Sequence, residues 1–238
     1  MINIFLPIYN EEKIAKKNIL EVYENAKKLK DLFKINIIDD GSTDKTSEIC
    51  KEFMKEYEEI NYLYFKNGPS RRENLSKSFL DVPDNEIICF MDIDLASDIT
   101  RIEDLVNYIK QGFDISIGSR YKGTKSVRSL KRLIISKTYN SLIKILFGSK
   151  IKDHQCGFKA FKSEKIKEII LQMDDDPLFK RGWFWDAEIL LRAQKNKLKI
   201  KEFPVRWEAG KQSSFDFKRE LKIVKYMPIL FKKIKRVN

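Results

Sequence analysis

The chain has 238 residues, 42% hydrophobic and 34% charged, with a net charge of +12. That is enough apolar material for one large α/β domain, and nine glycines and six prolines exclude collagen-like and low-complexity classes. The three cysteines, Cys50, Cys89 and Cys156, form no close pair, so a reducing compartment is expected; the single histidine, His154, excludes His-rich metal sites and two-imidazole relays.

In chain order, residues 2–6 read as a buried strand and 11–33 as a long helix with Asn10 at its N-cap. A second strand is expected at 35–38, then Asp-Asp-Gly-Ser and a helix over 44–57. Strand 61–65, helix 70–80, strand 86–91, helix 100–110 and strand 114–117 follow. This alternation predicts a parallel, doubly wound sheet, in which ligands bind at the carboxyl ends of the strands. Beyond residue 118 come a basic helix over 128–147, a short apolar piece at 158–161, helices at 163–172 and 186–195, and a strand at 200–207. A basic amphipathic helical tail closes the chain over 211–238, with Pro228 as an expected kink. The organisation expected is a catalytic domain over 1–210, divided at 117/118, plus that tail.

No segment reaches the ~18 apolar residues of a transmembrane helix. The N-terminus runs straight into a strand followed by Glu11 and Glu12, unlike a secretory signal, so a cytoplasmic location is expected. The positive charge is concentrated. Residues 118–152 carry ten Lys/Arg and no acid; 211–238 carry nine against two acids; the remainder is net negative. Leu130, Leu133, Ile134, Leu142, Ile143, Ile145 and Leu146 recur near helical spacing in the first segment, and Phe217, Leu221, Val224, Phe231 and Ile234 in the second. Two readings fit: helices lying on an anionic membrane surface, or core-facing helices with solvated lysines. No nucleic-acid-binding motif is present, and no nucleic-acid partner is expected.

Polar clusters fall at successive strand ends: Pro7 to Glu11, Asp39 to Ser42, Asp92-Ile93-Asp94 and Gly118 to Tyr121. Two carboxylates two residues apart on an extended chain face one side, and hard oxygen ligands there suit Mg²⁺ or Mn²⁺ together with substrate phosphates.

The stretches LPIYNEE (6–12), IIDDGSTDKT (37–46), MDIDLASD (91–98), GSRY (118–121), DHQCGFKAF (153–161), WFWDAEILL (183–191) and EFPVRW (202–207) resemble a family 2 glycosyltransferase of GT-A fold, and within it the dolichyl- or polyprenyl-phosphate hexosyltransferases. The resemblance covers residues 2–214 and implies a Rossmann-like, mostly parallel sheet flanked by helices. It implies an enzyme that moves a hexose from UDP-glucose or GDP-mannose to dolichyl or polyprenyl phosphate, peripheral on the cytoplasmic face of a membrane. Pro7, Tyr9, Glu11 and Asp39 would line base and ribose. Asp92 and Asp94 would handle metal and diphosphate, Asp94 the more directly. Arg120 would meet a phosphate of donor or acceptor, Gln155 would lie in the loop closing on sugar and acceptor, and Asp186 would stand at the place of the family's base. Arg128 and Lys131 would lie on the acceptor side. The family's Gly-Lys-Gly stretch is replaced by Asn67-Gly68-Pro69-Ser70-Arg71-Arg72, where Arg71 is expected to touch the nucleotide-sugar. A hydroxyl acceptor would require Asp186 as a true base, whereas a phosphate acceptor is already ionised. The non-enzymatic alternative is a basic membrane- or RNA-binding module.

Overall fold

The computed structural model describes residues 1–70, 72–121, 130–173, 181–208 and 217–234. Among them seven strands form one sheet: β1 (Ile2–Ile8), β2 (Phe33–Asp39), β3 (Ile60–Tyr64), β4 (Ile87–Met91), β5 (Ile115–Ser119), β6 (Phe158–Lys162) and β7 (Ile200–Pro204). The helices are α1 (Ala15–Ala26), α2 (Thr46–Glu56), α3 (Glu73–Leu80), α4 (Ile102–Lys110), α5 (Leu130–Phe147), α6 (Ser163–Leu171), α7 (Trp185–Lys195) and α8 (Phe217–Ile234). The strand order is β3-β2-β1-β4-β6-β5-β7. From β1 the chain builds outward through β2 and β3, then returns to lay β4 on the other side of β1. In open α/β sheets such a switch point is where the ligand crevice lies, here at the carboxyl ends of β1 and β4.

The inner strands β1, β4, β5 and β6 are buried on both faces, which is why they read as nearly continuous apolar runs, whereas the edge strands β3 and β7 are only partly covered. Ile2, Ile4, Leu6 and Ile8 face one layer, together with Cys89 and Met91 and with Ile19 and Val22 of α1. Phe5, Ile88 and Phe90 face the other, against Phe79 of α3, Ile166 of α6 and Trp185 of α7. The short apolar piece at 158–161 is β6, and it runs antiparallel to both neighbours, pairing Met91 with Phe158 and Ile115 with Phe161. The reversal matters, because β6 delivers its first residues, not its last, to the edge where β4 and β5 end.

One local expectation changes. Helix α1 starts at Ala15; Asn10 does not cap it but turns with φ +54° and accepts from the Thr43 N–H through Oδ1. Helix α8 runs through Pro228, which lies on its exposed side. Its described side chains Tyr226, Met227, Leu230 and Ile234 pack with Ile143 and Phe147 of α5 and with Phe184, Ala187 and Leu191, so this part of the tail is a core element. Ile134, Ile145 and Leu146 of α5 and Phe231 of α8 remain exposed. The side chains of Phe217, Leu221 and Val224 lie outside the described residues.

Candidate active site

The β1/β2 ladder pairs Pro7 with Ile38 and Ile8 with Asp39, and the β1/β4 ladder pairs Phe5 with Phe90. Pro7, Tyr9, Asp39, Asp40 and Asp92 therefore come to one edge. Pro7 is half-buried, Tyr9 is exposed, and Glu11 is half-buried. Asp39 is fully buried: Oδ1 accepts from the Ser42 N–H (2.8 Å), and Oδ2 from Ser47 Oγ (2.6 Å) and Tyr62 OH (2.7 Å). Its oxygens hold the floor of the edge together. Asp40 clamps the loop before α3, accepting from Ser70 N–H and Oγ (2.7 and 2.8 Å) and from Asn74 Nδ2 (2.6 Å). The same loop crosses so close that a Cβ on Gly68 would stand 1.7 Å from the Asp40 carbonyl oxygen.

Asp92-Ile93-Asp94 is not extended. The strand ends at Met91, and the Leu95 N–H turns back to the Asp92 carbonyl (3.1 Å), with Leu95 at φ +47°. Asn18 Nδ2 holds the turn at the Ile93 carbonyl (2.8 Å). The two carboxylates still act on each other. Burial first, and the Asp92 charge second, push the Asp94 carboxyl up to about 6. Burial, Asp94 and Asp44 raise Glu11 as well. Among the described residues no three His, Cys, Asp or Glu form a complete cation site. Two acids under mutual repulsion fit a divalent ion whose remaining ligands come from phosphate oxygens and water. Asp92 and Asp94 would hold such an ion.

Asp92 is also confined by protein. Its N–H donates to the Gly157 carbonyl (3.1 Å), and a Cβ on Gly157 would stand 1.8 Å from Asp92 Oδ2. Arg72 Nη2 donates to Asp92 Oδ1 at 2.6 Å, and its Nε lies 3.9 Å from Asp186 Oδ2. Asp186 is 2% exposed, and its Oδ1 accepts from Lys159 Nζ at 2.5 Å; Lys159 is itself fully buried in β6 and also donates to the Cys156 carbonyl. The Arg72 and Lys159 cations both lie over the Phe90 ring, at 4.6 and 5.7 Å. Burial works against the Arg72 charge, and the Asp92 and Asp186 carboxylates outweigh it.

On the other side, Arg120 Nε and Nη2 grip Asp153 Oδ2 and Oδ1 (both 2.7 Å), and Cζ lies 5.7 Å from the Trp207 ring. Gln155 is half-buried in the same loop, its N–H bonded to Asp153 Oδ1 (3.3 Å). His154 is a strut. Its Nδ1 lies 2.7 Å from Asn140 Oδ1 and its Nε2 2.7 Å from Ser149 Oγ, and burial pushes it down to about 3, so the ring is neutral. Burial likewise pushes the Cys156 thiol up to about 11. Trp185 is core, donating from Nε1 to Ser76 Oγ (2.6 Å). Glu188 is buried on the far side of α7 between Arg181 and Arg192 (2.9 and 2.8 Å), with Tyr226 OH also donating to it (2.8 Å). Arg71, Arg128 and the side chain of Lys131 lie outside the described residues.

Asp92, Asp94, Asp186, Arg120 and Gln155 thus reach one edge. Arg72, Lys159, Asp153 and Gly157 join them without standing out individually in the sequence. Lys159 had a signal, a lone charge inside an apolar strand run; Gly157 lay within a quoted motif; Arg72 had none beyond standing where glycines are expected.

The model for glycosyl transferase family 2 matches residues 3–183. Glycosyltransferase AglD of Haloferax volcanii is 30% identical over 224 residues, 92% of this chain and 35% of its own length. Dolichyl-phosphate beta-glucosyltransferase of Saccharomyces cerevisiae is 28% identical, covering 87% of this chain and 66% of that protein. The chain thus spans about a third of the first and under two thirds to about two thirds of the glucosyltransferases. Among solved structures, glucosyl-3-phosphoglycerate synthase from Mycobacterium tuberculosis superposes with a TM-score of 0.69 at 16% identity, over 99% of this chain and 80% of that one; it has been solved with Mg²⁺ and UDP. The matched model covers most of the sheet and its crevice, and the chain belongs to glycosyl transferase family 2, with the GT-A fold.

Proposed function

We propose that the protein transfers a hexose from a UDP- or GDP-hexose to dolichyl or polyprenyl phosphate, with inversion, at an anionic membrane surface. The observation that carries this reading is the state of Asp186. The residue at the place of the family's base is buried and clasped by Lys159 and Arg72. A sugar hydroxyl must lose a proton to attack, and a base in that clasp is badly placed to take it. A lipid phosphate, with a second pKa of roughly 6, arrives already ionised. Named relatives support the acceptor: the yeast protein above, and polyprenol monophosphomannose synthase of Mycolicibacterium smegmatis at 24% identity.

In this scheme Pro7, Tyr9 and Glu11 bind the nucleoside over the floor held by Asp39. A divalent ion held by Asp92 and Asp94 would neutralise the charge that develops on the leaving diphosphate. Asp186 orients Arg72 and Lys159 and leaves the proton balance to the acceptor. Arg120, fixed by Asp153, presents a positive edge to the incoming phosphate, and Gln155 lies in the same loop. The exposed Ile134, Ile145, Leu146 and Phe231, with exposed Lys137, Lys232 and Lys233 beside them, offer apolar contact and positive charge to a bilayer. No helix among the described residues is long and apolar enough to cross a membrane.

The test is label transfer into the organic phase from UDP-glucose, GDP-mannose and other donors, with dolichyl phosphate, Mn²⁺ and an Asp94→Asn control. Extractable label from one donor, lost in the control, is the expected result. Nucleotide binding without any transfer to lipid refutes the acceptor and favours a hydroxyl. Vesicle or RNA binding with neither nucleotide nor metal dependence would favour the non-enzymatic module.

A further inference from the structure

Arg72 combines three features. Its backbone has φ +97°, a left-handed value rarely adopted by residues with a Cβ. Its side chain is 8% exposed, over the Phe90 ring. Its guanidinium holds an oxygen of Asp92 at 2.6 Å. Two residues earlier Ser70 is clamped to Asp40, and on the other side the Ser76 N–H bonds the Arg72 carbonyl (2.8 Å) at the start of α3. On its other side Asp92 Oδ2 fills the space that a Cβ on Gly157 would need, so the carboxylate is bounded there by the Gly157 backbone. An ion approaching Asp92 therefore meets a carboxylate whose other oxygen already has a cation on it. Backbone strain that places a charge at a reacting edge is a pattern of functional sites.

We propose that Arg72 is a resident counter-cation of Asp92, and that loading a divalent ion there displaces the guanidinium, which the donor diphosphate then takes up. The inference rests on the reading of Asp92 and Asp94 as the metal and donor pair. Without nucleotide, Arg72 competes with the ion for one carboxylate. With a diphosphate present, the displaced guanidinium gains an anionic partner suited to its planar fork. Ion and nucleotide are thereby coupled: each removes an obstacle to the other.

Mn²⁺ binding, followed by the electron paramagnetic resonance of the unbound ion, reads this without turnover. Wild type, Arg72→Gln, Arg72→Gly and Asp92→Asn are titrated with Mn²⁺ alone and with UDP or GDP. Loss of the competing charge-assisted hydrogen bond should tighten Mn²⁺ alone roughly tenfold in both Arg72 variants, and shrink the nucleotide's enhancement of Mn²⁺ affinity by a similar factor. Arg72→Gly suits the left-handed backbone, so it keeps the test available if the glutamine variant misfolds. Unchanged or weaker Mn²⁺ binding in the folded Arg72 variants, with Asp92→Asn weakened, overturns the exchange while leaving the metal site standing. Unchanged binding in Asp92→Asn overturns both.

Discussion

Gly157→Ala isolates how tightly the Asp92 carboxylate is held. Gly157 has an ordinary φ, so alanine costs nothing in backbone conformation there. The added Cβ would lie 1.8 Å from Asp92 Oδ2 and 2.4 Å from Cγ, whereas real Cβ contacts essentially never fall under 3.0 Å. The carboxylate or the loop must yield by about 1.2 Å, and each is bonded where it stands. Asp92 is tied to Arg72 and to the Gly157 carbonyl, and the loop is tied through Asp153 to Arg120 and through His154 to Asn140. A displacement of ~1 Å at a reacting centre costs on the order of 100-fold in rate. The expected result is a loss of that size in kcat for transfer to lipid phosphate, with cooperative unfolding retained and Mn²⁺ affinity weakened. Initial rates over a Mn²⁺ series measure it. A variant within about threefold of wild type, at unchanged Mn²⁺ dependence, would refute the claim that the Gly157 backbone fixes Asp92.

Acid should destabilise the fold through His154. Its folded value of about 3 lies below the unfolded 6.5, so stability is full above 6.5 and falls as pH drops below it. Between pH 7.5 and 5 the loss should be about 2 kcal/mol in urea unfolding, and His154→Gln should flatten that slope whatever its own cost. Asp186→Asn should retain part of the transfer rate and keep the acid side of the rate profile; complete loss would restore it as a base. Lys159→Met should cost about 3–5 kcal/mol in urea unfolding by leaving Asp186 buried beside one cation fewer, and a cost under ~1 kcal/mol would show that the pair carries no buried charge. Ile145→Glu should weaken co-sedimentation with anionic vesicles and leave unfolding unchanged, since Ile145 is 70% exposed.

Apolar runs and strand-end polar clusters together specified the sheet and its ligand edge, because a parallel strand buried on both faces has no other composition available and its carboxyl end no other place to put polar groups. What adjacency in sequence could not supply was direction and partnership. The reversal of β6 depends on its neighbours' unpaired edges, yet it alone brings Gly157 against Asp92 and Lys159 against Asp186. The basic tail reads equally as a membrane stripe or a core helix; only the apolar faces of α5 and α7 decide that Tyr226, Met227 and Leu230 pack inward. The acidic triplet stands out in the sequence, but Arg72, 20 residues away in the chain, reaches Asp92 only once the sheet has formed. Local sequence sets which chemistry is available, while buried charges find their counter-ions over long separations, in whatever geometry packing leaves.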